Sequence, residues 1–252
     1  MIIISPAKNL DFSNQSFEQQ RSEPNFLFKT NFLVKKLKSL SALDIKSIMK
    51  ISEKLSILNK ERYKNFSFKN GYNYKQAVFA FKGDTYKGLN INSFSGPEII
   101  KAQKRLRILS GLYGILKPLD IIQPYRLEMG SNISSLIGSN LYDFWSNDVT
   151  KNINNELKKF NTKFLINLAS VEYFNVINLK NLNFDVVNPI FLQKKDNKNV
   201  NIGIISKRSR GMMASYLIKN NYSSIEEIKS FNLDGYAYES FDKNENNIFF
   251  VR

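Results

Sequence analysis

The chain contains no cysteine and no histidine. Disulfides cannot form, so packing alone must hold the fold together. Zinc sites, iron–sulfur clusters and thiol peroxidase chemistry all need residues that are missing. A Ser-His-Asp triad cannot be assembled. Acid–base work is left to Asp, Glu, Lys and Tyr, and only a hard cation such as Mg²⁺, held by oxygen donors, stays open among metals. No ligating set stands out, so neither metal nor cofactor is expected. Tryptophan is nearly absent as well, with Trp145 its one occurrence. No apolar run approaches the roughly 18 residues of a membrane span. The opening Met1-Ile2-Ile3-Ile4-Ser5-Pro6 is too short and lacks the leading basic region of a signal peptide. A cytoplasmic protein without membrane attachment is expected.

Acidic residues are scarce relative to basic ones. Lys plus Arg number 37 against 22 Asp plus Glu, giving a net charge of +15 over 252 residues. Such an excess suits a polyanionic partner: DNA, RNA or an anionic membrane surface. Lys-, Asn- and Ile-rich composition produces the same excess in chains from AT-rich genomes, so charge alone does not identify a partner. The hydrophobic fraction, 42%, is ordinary for a globular chain of this length.

Helical and extended patterns alternate without a regular repeat. Ile2–Ile4 reads as a short buried strand. A loop is expected over 11–24. Phe28, Phe32, Leu33 and Leu37 have helical spacing, and Ser41 and Ser52 are placed to cap two further helices. Gln76–Phe81 reads as a strand, followed by a turn over Lys82–Gly88. Ser95-Gly96-Pro97-Glu98 is a helix start with a capping box. That helix is expected to run to about Leu109 and to expose Lys101, Lys104, Arg105 and Arg107. Helix from Ser146 to Phe160, strands over Lys163–Leu168, Phe184–Leu192 and Val200–Ser206, and helices over Arg208–Asn220 and Ser224–Phe231 follow. A polar turn, Lys194–Asn199, separates the second and third of those strands. Gly235–Phe241 and Asn247–Val251 close the chain as a strand pair. The pattern predicts one α+β domain over 1–252, a mixed sheet with surrounding helices.

Several segments could carry chemistry. Gly83 and Gly88 bracket Asp84, Tyr86 and Lys87, and glycine lets a backbone approach a ligand closely; a hairpin with a polar tip is the simpler alternative. Ser110-Gly111-Leu112-Tyr113-Gly114 follows a basic helix, with Lys117 just beyond. Such a turn can aim N–H groups at a phosphate, or merely end a helix. Arg126 and Glu128 fall on one face of an extended segment, as an ion pair or as a phosphate holder and a proton carrier. Ser170-Val171-Glu172 follows a strand, where ligands commonly bind, although Ser170 also suits a simple helix cap. Lys207-Arg208-Ser209-Arg210 is the densest basic cluster; at a helix start it opposes the macrodipole, which favours a role facing an anion. Trp145, near Tyr142 and Phe144, is read as core.

Taken together these blocks resemble the YaaA family. The matching blocks are Ile4-Ser5-Pro6-Ala7-Lys8 with Leu10-Asp11, Phe81-Lys82-Gly83-Asp84 with Tyr86 and Gly88, and Leu109 to Gly114. Lys117-Pro118-Leu119-Asp120, Gln123 to Gly130, Tyr142 to Trp145, Asn167 to Ser170 with Glu172-Tyr173, and Arg210-Gly211-Met212 complete them. Asn9 stands where the family pattern suggests Thr. The resemblance covers nearly the whole chain in order. It implies a cytosolic bacterial protein of the hydrogen-peroxide response that limits oxidative DNA damage and free iron. The implied fold is a single α+β domain with a basic cleft and a helix-hairpin-helix element, and the implied activity is DNA binding, bulged or branched DNA included. The hairpin maps onto Ser110, Gly111, Tyr113 and Gly114.

Three functions follow as expectations. In the first, a DNA-protective monomer, Lys8, Lys82, Arg126, Lys207 and Arg210 line the cleft, with Lys104, Arg107, the hairpin and Lys117 also on DNA. In the second, a lesion- or nucleotide-processing enzyme, Lys8 or Lys82 supplies an amine and Asp84, Glu128 or Glu172 activates water. The third, direct iron sequestration, lacks the His and Cys that a strong Fe²⁺ site needs.

Overall fold

The computed structural model describes residues 1–13, 17, 20–67, 74–161, 164–196 and 198–252. Part of the loop expected over 11–24, the strand-start residue Lys163 and Asn197 of the Lys194–Asn199 turn lie outside them.

The strand Ile2–Ile4 is an inner strand of the main sheet. It runs parallel to Leu106–Ser110 on one side and to Phe164–Leu168 on the other, with Ile2 opposite both Leu106 and Ile166. Each of its three isoleucines is fully buried, the requirement for a strand covered on both faces. Beyond Phe164–Leu168 come Asp185–Lys195 and Asn247–Val251, both parallel to their inner neighbours. Antiparallel strands finish the edges: Gly114–Leu116 beside Leu106–Ser110, and Ala237–Asp242 beside Asn247–Val251. Lys198–Val200 folds back on Asp185–Lys195. The sheet is therefore mixed, the fold is α+β, and its buried apolar residues form one contiguous cluster.

Helices Leu27–Lys38, Ala42–Met49 and Glu53–Asn65 make up the early part of the chain. Ser41 accepts from the Asp44 N–H and forms a capping box with it, Ser52 accepts from the Leu55 N–H, and Ser95 forms a capping box with Glu98. No helix among the described residues is long and apolar enough to cross a membrane.

Several elements differ from expectation. The 75–82 segment is two short strands, Lys75–Gln76 and Phe81–Lys82, around the helical turn Ala77–Ala80. The expected turn after Lys82 is a helix, Asp84–Leu89. Of the expected strand Val200–Ser206 only Val200 is extended, at the end of the short strand Lys198–Val200, and the next helix begins at Gly203, so Lys207–Arg210 lie one turn inside it. The helix expected from Ser146 begins earlier and spans Leu141–Leu157.

The largest correction concerns the hairpin. The helix Gly96–Arg105 stops four residues before Leu109, and the chain continues as a strand. Ser110–Gly114 then turns between two antiparallel strands, not between two helices. Its side chains are internal: Ser110 and Leu112 are fully buried and Tyr113 nearly so. Gly114 has φ +73°, and a Cβ there would lie 2.7 Å from the Trp145 ring. The turn faces the core because Trp145, fully buried as read from the sequence, packs on it and donates its Nε1–H to the Gly111 carbonyl at 2.9 Å.

Candidate functional site

Parallel strands leave a crevice beyond their carboxyl ends, where side chains from successive loops converge. Here Ile2–Ile4 delivers Ser5 to that edge and Phe164–Leu168 delivers Ser170 beside it. The Ser170 N–H donates to Ser5 Oγ at 2.8 Å, and the Ser5 hydroxyl donates to Ser170 Oγ at 3.2 Å. The Tyr86 hydroxyl donates to the Ser5 carbonyl at 3.1 Å, tying in the helix Asp84–Leu89.

Two glycines fix the fourth wall. Helix Asp84–Leu89 crosses helix Gly203–Asn220 at Gly88 and Gly211. A Cβ on Gly88 would come within 2.0 Å of the Arg208 carbonyl oxygen, and one on Gly211 within 1.9 Å of the Thr85 carbonyl oxygen. These glycines serve helix packing, and their close approach brings Lys207 and Arg210 into one cleft with Asp84 and Thr85.

The result is a cleft of about 520 Å³. Lys8, Lys82, Lys207 and Arg210 line it with two carboxylates, Asp84 and Glu172. Lys8 Nζ stands 3.4 Å from Glu128 Oε1, and Arg126 reaches the same oxygen at 2.8 Å. Lys82 pairs with Asp11 at 3.1 Å. The Ser13 hydroxyl and N–H, with Lys82, hold the Asp11 carboxyl well below the usual carboxylate range. Glu172 Oε1 accepts from the Gly130 N–H at 3.1 Å. Tyr173 is nearly buried beside Glu172 and Glu128, and burial first, then Tyr125 and the two carboxylates, pushes its hydroxyl pKa upward. Burial lowers the pKa of half-buried Arg210.

Six charged residues singled out from the sequence thus meet in one cleft: Lys8, Lys82, Asp84, Glu172, Lys207 and Arg210. Arg126 and Glu128 adjoin it through Lys8. The others lie elsewhere. Lys104 is exposed on its helix and does not line the cleft. Arg107, expected on an exposed helical face, is 5% exposed in a strand and paired with Glu156. Ser110 meets the Tyr125 hydroxyl at 2.7 Å, and the Tyr113 hydroxyl accepts from the Gln123 N–H at 3.1 Å. Lys117 is half-buried, with its N–H on Asp120 at 2.8 Å. Ser5, Thr85 and Tyr173 were missing from the expected site. The signal for Ser5 was present: a small polar residue directly after a fully apolar strand.

A sequence model described as peroxide stress protein YaaA matches residues 1–241. A UPF0246 protein of Shewanella baltica is 42% identical over 256 residues, covering 100% of this chain and 99% of the relative. A UPF0246 protein of Aliivibrio fischeri is 42% identical over 253 residues, covering 100% of this chain and 98% of its own. One from Shewanella woodyi is 41% identical over 94% of this chain and 93% of its own. The family supports a role in peroxide stress. With a full-length match and relatives of this identity, the chain belongs to the family of the peroxide stress protein YaaA.

Proposed function

We propose that this chain serves the peroxide response by binding DNA through the cleft, shielding it from oxidative damage, and that any effect on free iron is indirect. The observation that carries this reading is the gathering of Lys8, Lys82, Lys207 and Arg210, from three separated stretches of sequence, around one concavity. Ammonium and guanidinium groups converging on a crevice are how proteins hold phosphates. The net charge of +15 adds a long-range attraction for a polyanion. The test is a titration against labelled duplex, bulged, four-way-junction and single-stranded DNA at several salt concentrations. Contact with about six phosphates gives a log–log slope near −5 on duplex DNA. Binding indifferent to salt, or no binding near physiological salt, overturns the reading.

One observation favours a second reading, a glycosylase- or lyase-like enzyme. Lys8 places an amine 3.4 Å from the Glu128 carboxylate at the lip of the cleft, with Asp84 and Glu172 within it. An amine with a neighbouring carboxylate is the minimal set for attack on a sugar carbon and activation of water. Lys82 is the alternative amine. Borohydride reduction on lesion-bearing duplexes traps a covalent adduct if this reading holds; absence of an adduct and of base release sets it aside.

A further inference from the structure

The cations of the cleft are not equivalent. Lys8 and Lys82 are matched by Glu128 and Asp11. The side chains of Lys207 and Arg210 have no ion-pair or hydrogen-bond partner among the described residues. They are three positions apart on helix Gly203–Asn220, so both project from one helical face. Arg210 is half-buried with its fork of donors unused. A half-buried guanidinium with no acceptor from the described residues suits a bidentate anion, phosphate being the group that fits best.

The remaining lining is not what a second phosphate needs. Pro6, Ala7 and Val171 supply apolar surface, with Val171 74% exposed. Glu172 is anchored through one oxygen on the Gly130 N–H, and its other oxygen has no hydrogen-bond partner among the described residues. A carboxylate oxygen in this setting accepts from an amino group, such as the exocyclic amines of cytosine or adenine. An unpaired cation pair, an apolar surface and a lone acceptor match the three parts of one nucleotide. The cavity, about 520 Å³, lies in the range of about 300–1,000 Å³ that holds one small ligand. A duplex groove cannot enter it, so a base presented there has left its stack.

We infer that the cleft holds a single nucleotide with an amino-bearing base, its phosphate on Lys207 and Arg210 and its base edge on Glu172. This rests on the DNA reading only for the source of the nucleotide, a unit swung out of a strand rather than a free one. Unstacking costs least in single strands and at mismatches, so those are the DNA forms this site selects.

The experiment titrates the full chain with 5′-dCMP, 5′-dTMP, deoxycytidine and inorganic phosphate by calorimetry. In parallel, 5′-dCMP competes with a labelled single-stranded oligonucleotide. The expected result is one dCMP site, with deoxycytidine, phosphate and dTMP each weaker by roughly tenfold or more, and with dCMP displacing the oligonucleotide. Arg210→Gln and Lys207→Gln each weaken dCMP by a similar factor. Lys207 is exposed, so its variant keeps the test available if Arg210→Gln fails to fold. DNA binding without any dCMP binding to millimolar concentration, or dCMP affinity unchanged in folded variants, overturns the inference and leaves the DNA reading standing. Binding of dCMP without DNA binding supports the cleft assignment and overturns the DNA reading.

Discussion

Gly211 lies so close to Thr85 that a Cβ on it would stand 1.9 Å from the Thr85 carbonyl oxygen. Helix propensity alone predicts that Gly211→Ala stabilises helix Gly203–Asn220 by about 1 kcal/mol. Packing predicts the reverse, because the obstacle is backbone that cannot rotate away. The expected outcome is a loss of about 3 kcal/mol, measured by urea unfolding, together with weakened DNA binding as the two helices part. A gain in stability would show that the helices do not cross as described.

Gly114 supplies a second prediction. Its φ of +73° disfavours any side chain, and Trp145 fills the space a Cβ would take. Gly114→Ala should lower stability by about 2–4 kcal/mol, while folded protein keeps its DNA affinity and salt dependence. A selective loss of DNA binding at unchanged stability would restore the phosphate-facing hairpin.

The sequence made some of this legible and hid the rest for definable reasons. Ile2–Ile4 was readable as a buried strand because a strand covered on both faces is continuously apolar. Ser41, Ser52 and Ser95 announced helix starts because capping is local chemistry. The glycines were visible but not their purpose. Gly88 and Gly211 meet across a long stretch of chain, and nothing near either one reveals the other. Arg107 was assigned to an exposed face by extending a 3.6-residue period past Arg105, where the structure changes to a period of two. The cleft residues were named as separate blocks; their convergence is a product of sheet order.

Asp120 makes stability depend on pH. It is 1% exposed, and burial pushes its carboxyl up to about 6, against the pull of hydrogen bonds from the Ser22 hydroxyl and the Lys117 N–H. Between about pH 4 and pH 6 the folded chain keeps a proton that the unfolded chain has released. This group's contribution therefore falls as pH rises through that window and is level above it, by about 3 kcal/mol at most. Asp120→Asn, which stays neutral, should exceed the parent in stability at pH 7 and converge with it near pH 4. Parallel pH profiles from denaturant unfolding would contradict this.

Arg107 and Lys104 separate structural from surface charge. Arg107 donates to Glu156 Oε2 at 2.6 Å and to the carbonyls of Gln103 and Leu106. Glu156→Ala strands that buried guanidinium and should cost about 3–5 kcal/mol. Lys104→Ala, on an exposed position, should stay within about 0.5 kcal/mol. Thermal or urea unfolding of both variants checks the pair, and equal effects would contradict the burial of Arg107.

The most direct test of the central claim is the salt dependence of DNA binding in the parent chain and in a Lys207→Gln/Arg210→Gln double variant. Removal of the one phosphate contact that these two cations share should flatten the log–log slope by roughly 0.7–0.9 and weaken binding at every salt concentration. The same slope and affinity in a folded double variant would contradict the account.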